Sequence, residues 1–213
     1  MPAASCSTKI HVLPGDVVSR IAAGEVVERP AAVVKELLEN SLDAGGLHIT
    51  VDVKDGGLTL IRVTDDGEGI SRADLPLAFE RHATSKLRSD RDLASVTTMG
   101  FRGEALPSIA SVSHVLVTTA TRQDATVGSQ FTLVAGGSGS VVDAPAVPGT
   151  RIEVSNLFFN QPARRKFLKS ATTEFSHISR VVQLAGLAWP SVHFRLTHNG
   201  QEILNYPAVT ADR

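Results

Sequence analysis

Four short stretches carry residues whose type and spacing could do chemistry. In "DDGEGI", Asp65 to Ile70, a carboxylate at a strand end precedes Gly67 and Gly69. Such a carboxylate can accept a hydrogen from an amino group, and the glycines let a backbone approach a ligand closely. A tight turn would use the same residues. In "GFRGEAL", Gly100 to Leu106, glycines stand just before a helix, where unpaired N–H groups can cradle an anion. A plain helix start, with Glu104 in the first turn, fits equally well. In "HATSK", residues 82–86, Ser85 and Lys86 could reach a phosphate or be a solvated loop. In "KELLENSLDAG", Lys35 to Gly45, Glu36 and Asn40 are four residues apart and Asp43 lies one turn later. On a helical wheel they border an apolar arc of Val33, Val34, Leu37, Leu38, Ser41 and Leu42. That half-buried polar seam could face a partner layer or a cleft. Gly149-Thr150 opens a strand and has no meaning alone.

Three familiar ligand loops are excluded by the residues around these glycines. No Gly-Lys-Ser/Thr stands after Gly103, so "GFRGEAL" is not a Walker A loop. A third glycine and a parallel βαβ unit are missing for dinucleotide binding. "DDGEGI" lacks the alternating ligands and terminal glutamate of a calcium loop.

These stretches need elements to hold them. Helices are expected over 14–27 and from Pro30, which suits a first helical turn, to a stop at Gly45-Gly46. Alternation predicts a hairpin of strands at 48–53 and 58–65 around "KDGG". Residues 71–99 are polar and broken, which suits short helices and a loop. A short helix to about Ser111 is succeeded by strands at 114–121, 129–136 and 150–158, with "GGSGSVVDAPAVPG" as turns between the last two. Residues 163–188 read as helical, and 192–200 with 201–207 as a hairpin around Asn199-Gly200. Together these predict an α+β fold: a two-layer sandwich of a mixed, mostly antiparallel sheet with helices on one face.

Composition narrows the class. The chain has 213 residues and 42 % hydrophobic content, enough for a sizeable core. Net charge is −1, which makes no global case for a nucleic-acid binder. The charge is uneven: residues 1–150 hold 13 basic and 18 acidic side chains, and residues 151–213 hold 8 and 4. Cys6 is the only cysteine, so an internal disulfide and a multi-cysteine metal site are excluded and a reducing compartment is expected. No signal peptide pattern and no membrane-spanning apolar run are present.

In order, the pieces are Glu36-x-x-x-Asn40, Asp65-x-Gly67-x-Gly69, Gly100-Phe-Arg-Gly103-Glu-Ala and Gly149-Thr150. This series resembles the four-motif ATP site of the GHKL superfamily, which includes DNA gyrase B, Hsp90, histidine kinases and MutL. Within it, "IAAGEVVERPAAVVKELLENSLDAG", "RHATSK", "GFRGEALPSIASV" and "LFFNQPARRKFL" closely resemble the MutL mismatch-repair family, over roughly residues 9–207. The resemblance implies a Bergerat-type fold, ATP and Mg²⁺ as ligands, and an ATPase. It makes Glu36 the general base on water and Asn40 the Mg²⁺ ligand, with Asp43 beside it. Asp65, Gly67, Gly69 and Thr150 would hold the adenine. Thr84, Ser85 and Lys86 would belong to a lid. Gly100, Phe101, Arg102, Gly103, Glu104 and Ala105 would surround the phosphates.

The resemblance also implies a domain plan: an arm at 1–14, the ATP-binding domain at 15–207, and at 208–213 the start of a linker to a second domain absent from this chain. The partners implied are a MutS-type mismatch sensor and other repair proteins, DNA through the full-length protein, and a homodimer of that protein, with this fragment expected to be a weak ATPase and monomeric. A bacterial cytoplasmic setting is implied, with no membrane. Two positions depart from the family pattern: Asp66, where Asn is common, and Gln161, where Thr is usual. Asp66 is expected to add negative charge near the ATP. Competing readings are a non-catalytic nucleotide-gated scaffold, a histidine kinase, and a DNA-binding domain built on Arg164, Arg165, Lys166 and Lys169. The bland reading of that basic cluster is a helix laying its stems over the core.

Overall fold

Alternation of apolar and polar residues builds the centre of the sheet. The computed structural model describes residues 12, 24, 26–86, 99–100, 103–123, 126–137 and 139–209. Strand β1 (His48–Lys54) buries Ile49, Val51 and Val53, and β2 (Leu60–Asp65) buries Ile61, Val63 and Asp65 on the same face. A single 3-10 turn at Asp55–Gly57 joins them, as "KDGG" suggests. Strands β3 (His114–Ala120), β4 (Gly128–Val134), β5 (Val141–Ala144), β6 (Gly149–Ser155), β7 (His193–His198) and β8 (Gln201–Tyr206) complete one sheet. Its order is β5-β4-β3-β6-β2-β1-β7-β8. Every neighbouring pair is antiparallel except β1 with β7. A parallel pair requires a long crossover, and the chain between these two strands supplies it.

Helix α1 (Pro30–Asp43) lays Val33, Val34, Leu37 and Leu38 on the buried face. The short helices α2 (Asp74–Leu77) and α3 (Ala105–Ser111) come next. Helix α5 (Ala171–Ala188), after the short α4 (Pro162–Phe167), adds Ile178 and Val182 beside α1. Each fully buried aliphatic side chain contributes about 1.5–3 kcal/mol, so this two-layer contact dominates the fold. The other face is mostly polar among the described residues. There Arg62 pairs with Glu153 at 3.0 Å, and Thr197 donates to Asp52 at 2.7 Å.

Three details differ from the sequence expectations. The turn-rich segment after β4 contains an edge strand, β5, held by pairing with β4 between Gly128–Phe131 and Val141–Ala144. The helix expected over 163–188 breaks in two, because Leu168 is extended and the Ser170 hydroxyl caps α5 by accepting from the Thr173 N–H at 3.3 Å. Strand β6 ends at Ser155, since Asn156 and Phe158 take positive φ angles of 54° and 61°. The expected arm at 1–14 and helix at 14–27 lie almost wholly outside the described residues, as do residues 210–213.

Candidate functional site

Helix α1 carries the polar seam along the edge of its buried stripe. Pro30 occupies the first turn after an extended Arg29. The Glu36 side chain is 28 % exposed, with Lys35 Nζ 4.0 Å from its Oε1. Burial holds its carboxyl above the ordinary carboxylate range and Glu39 adds to this, against the pull of Lys35 and Lys86. One turn on, the Lys86 ammonium donates to Asn40 Oδ1 at 3.1 Å and to Asp43 Oδ2 at 2.5 Å. Asp43 Oδ1 also accepts from the Met99 N–H at 3.2 Å. The Lys86 N–H donates to Thr84 Oγ1 at 3.1 Å, while Ser85 is exposed. Gly100 lies beside the Lys86 ammonium, 3.5 Å from the position a Cβ would take. "HATSK" and the glycine loop therefore meet over the helix seam, and a second tie is the His82 N–H to Gly103 carbonyl bond at 3.2 Å. Glu104, 3.7 Å from His82 Nδ1, and Ala105 open α3. Phe101 and Arg102 lie outside the described residues.

Asp65 is the other pole. It is buried, and its Oδ1 accepts from the Gly67 N–H at 2.9 Å and the Thr150 N–H at 3.2 Å. Oδ2 accepts from the Ser41 hydroxyl at 2.8 Å. A carboxylate has about four acceptor positions, so one is left among the described residues. Burial pushes the Asp65 carboxyl up despite the three donors. Glycine is required on both sides of this residue. Gly69 has φ 77° and a Cβ there would meet the Ala120 carbonyl; Gly149 has φ 106° and a Cβ would meet the Asp65 carbonyl, each at 2.1 Å.

Sequence reasoning missed two hydroxyls that hold this pole. Ser41 lies in the buried arc of α1, and Thr119 lies on β3 at an inward position that Val115 and Val117 also occupy. A polar residue at a core position was the available signal. Thr119 is 1 % exposed. Across the sheet Asp65 pairs with Thr150, Thr150 with Thr119, Thr119 with Ser129, and Ser129 with Asp143. A cavity of about 410 Å³ borders this row at Ile70, Thr119, Ser129 and Asp143.

Asp66 does something other than charge the site. Its carboxylate accepts from the Leu47 N–H at 2.7 Å and the His48 N–H at 2.8 Å, and contacts His48 Nδ1 at 2.8 Å. Partial burial raises its pKa, but the bonds from His48 and Leu47 outweigh this and leave it below the usual range. The charge is thus turned to the start of β1. In the basic cluster, Arg164 donates to the Val27 carbonyl at 2.8 Å and lies 5.6 Å from the Phe158 ring centroid, while Arg165, Lys166 and Lys169 are exposed. Arg164 is a packing residue.

Asp65, at the end of β2, is a buried carboxylate with one acceptor position left among the described residues, while on α1 a lysine is drawn onto an amide and a carboxylate, with a half-buried glutamate one turn away. Groups of these kinds suit a nucleotide-binding cleft in an α+β sandwich. Residues 28–148 match the family described as "Histidine kinase-, DNA gyrase B-, and HSP90-like ATPase". The chain belongs to that ATPase family. It is similar to the DNA mismatch repair protein MutL of Anaeromyxobacter sp. (strain K), 53 % identical over 196 residues, covering 92 % of this chain and 32 % of that protein. MutL of Syntrophotalea carbinolica is 55 % identical over 196 residues, 92 % of this chain and 31 % of that protein. The chain thus spans about a third of the length of these relatives. Among solved structures, the Aquifex aeolicus MutL ATPase domain complexed with ADP aligns with a TM-score of 0.68 at 34 % identity, covering 87 % of this chain and 66 % of that one. The N-terminal domain of a DNA repair protein aligns at 0.71 and 27 % identity, covering 88 % and 55 %.

Proposed function

We propose that this chain is the ATP-binding, slowly ATP-hydrolysing module of a MutL-type DNA mismatch repair protein, in which nucleotide state governs dimer closure and signalling to partners. The observation that carries this is the division of the cleft: an acceptor pole at Asp65 and a charged pole on α1, bridged by the glycine turns. Asp65 takes the adenine amino hydrogen at its remaining acceptor position, with Gly67, Gly69 and Thr150 around the base. Gly100 and Gly103 face the phosphates, and Lys86 with Thr84 and Ser85 closes over them.

Mg²⁺ fits the charged pole. Asn40 Oδ1 and Asp43 Oδ2 already hold a cation, the Lys86 ammonium, which bound Mg²⁺ would displace. Among the described residues no group of three or more His, Cys, Asp or Glu stands together, and Mg²⁺ is ordinarily held by one or two protein groups together with substrate phosphates and water. Asn40 is the residue assigned to the ion, and bound Mg²⁺ neutralises charge on the phosphoryl oxygens. Glu36 orients the attacking water and takes its proton at the carboxylate. Its raised pKa makes it a better base than an ordinary exposed glutamate.

A MutS-type sensor, DNA and a second copy of the full-length protein are the partners in this reading, acting in the bacterial cytoplasm; no described helix is long and apolar enough to cross a membrane. The test is turnover of the chain against Glu36→Ala, with MgATP binding measured by calorimetry. Binding should persist while hydrolysis falls by about 10²–10⁴. Equal turnover in both proteins would instead favour a nucleotide-gated scaffold whose hydrolysis is incidental.

A further inference from the structure

We infer that the buried Thr119 sets the hydrogen-bonding polarity of Thr150 and so makes the base pocket select an amino group over a carbonyl. The inference rests on the ATP-site reading above and deepens it.

Counting protons fixes the direction of each bond. The Ile70 N–H donates to Thr119 Oγ1 at 2.9 Å. Thr119 Oγ1 lies 2.9 Å from the Gly149 carbonyl, which can only accept. A hydroxyl has one proton, and this bond uses it. Thr119 and Thr150 hydroxyls are 3.1 Å apart, so in that contact Thr150 is the donor. The single Thr150 proton is thereby engaged inside the protein, and only lone pairs remain on its Oγ1. The same logic holds at the neighbouring acid. Ser41 directs its proton to Asp65 Oδ2, and the backbone N–H groups of Gly67 and Thr150 occupy Oδ1. As a carboxylate, Asp65 can offer nothing but an acceptor. Two adjacent groups on β2 and β6, paired in register, thus show acceptors only.

An exocyclic amino group, with two N–H donors, complements that surface. A 6-oxo group at the same place sets acceptor against acceptor, and a buried group without a partner is expensive. Thr119 touches no ligand in this scheme. It acts by holding Thr150 as a donor inward, and it also ties the Ile70 end of the glycine turn to Gly149.

Calorimetry on the 213-residue chain with MgATP and MgITP, which differ in the 6-amino and 6-oxo groups and in the proton that hypoxanthine carries on N1, tests this. The wild type should prefer ATP. Thr119→Val releases the Thr150 hydroxyl to donate outward, and the ATP-to-ITP preference should fall about two- to tenfold, the worth of one hydrogen bond. Thr119→Ser, which keeps the hydroxyl, should restore the preference. A purely structural Thr119 would weaken both nucleotides in the same ratio, and that result overturns the inference. Thr150→Val gives an independent reading should Thr119→Val fail to fold: it should weaken ATP and leave ITP unchanged or tighter. An equal or greater loss of ITP would show that Thr150 donates to the base, which also overturns it. A wild-type chain that binds neither nucleotide would refute the ATP-site reading itself, a different result from binding without discrimination.

Discussion

Asp65→Asn should separate nucleotide recognition from folding. In the structure Oδ1 accepts two backbone N–H groups and Oδ2 accepts the Ser41 hydroxyl. An asparagine can place its carbonyl oxygen at the Oδ1 position and keep both backbone bonds. Its amide nitrogen then stands where Oδ2 was. Ser41 adapts, because a hydroxyl can rotate and accept. An adenine amino group cannot, and meets a donor where it needs an acceptor. Losing a hydrogen bond to a charged acceptor costs about 1.5–3 kcal/mol, or roughly 10- to 150-fold in Kd. Stability should move the other way or not at all. Burial disfavours the Asp65 carboxylate, and a neutral amide removes that desolvation. Calorimetry with MgATP and a thermal melt on the same preparation are the assays. Affinity lost with Tm held or raised supports the reasoning. Unchanged affinity would show that Asp65 does not read the base, and a Tm falling in parallel would show that its charge is structural.

The same geometry sets other expectations. Gly149→Ala should destabilise the fold, by about 1–3 kcal/mol from the backbone conformation alone, with further loss from the Cβ contact on the Asp65 carbonyl, read as a lower midpoint in urea; an unchanged midpoint would mean that β6 shifts freely. Asp66 has a depressed pKa, so its contribution to stability is present above its ordinary value of 3.8 and is lost as pH falls through the lowered one. Asp66→Asn should therefore be less stable than wild type at pH 7, by no more than about 1 kcal/mol for so exposed a group, with the gap closing in acid; a gap independent of pH would refute the assignment. Glu36 has a raised pKa and, as the proposed base, would need to be ionised, so turnover should decline as pH falls while still above 4.5, its ordinary value, and stopped assays across that range would reveal a decline only below it if Glu36 were not the base.

Local signals were enough for much of this. The apolar stripe of α1, the alternation in β1, β2 and β3, and the glycine punctuation each report the chain's own period or turn chemistry, and residues a few positions apart decide those. The order of Glu36, Asn40, Asp65, Gly67, Gly69, Gly100, Gly103 and Thr150 was likewise present in the sequence. Strand β5 was not readable, because four residues among glycines and prolines owe their extended form to pairing with β4. Nor was the parallel pairing of β1 with β7, which depends on how α1 and α5 stack. Asp66 read as extra charge near the ATP, and only the fold showed its carboxylate bound to the start of β1. Thr119 and Thr150 are 31 positions apart, and Lys86 is 43 from Asp43. Contacts of that kind arise from strand register and from loops folded back over a helix. No local period encodes them, so the hydroxyl contact between Thr119 and Thr150 and the lysine held on α1 belong to the tertiary structure alone.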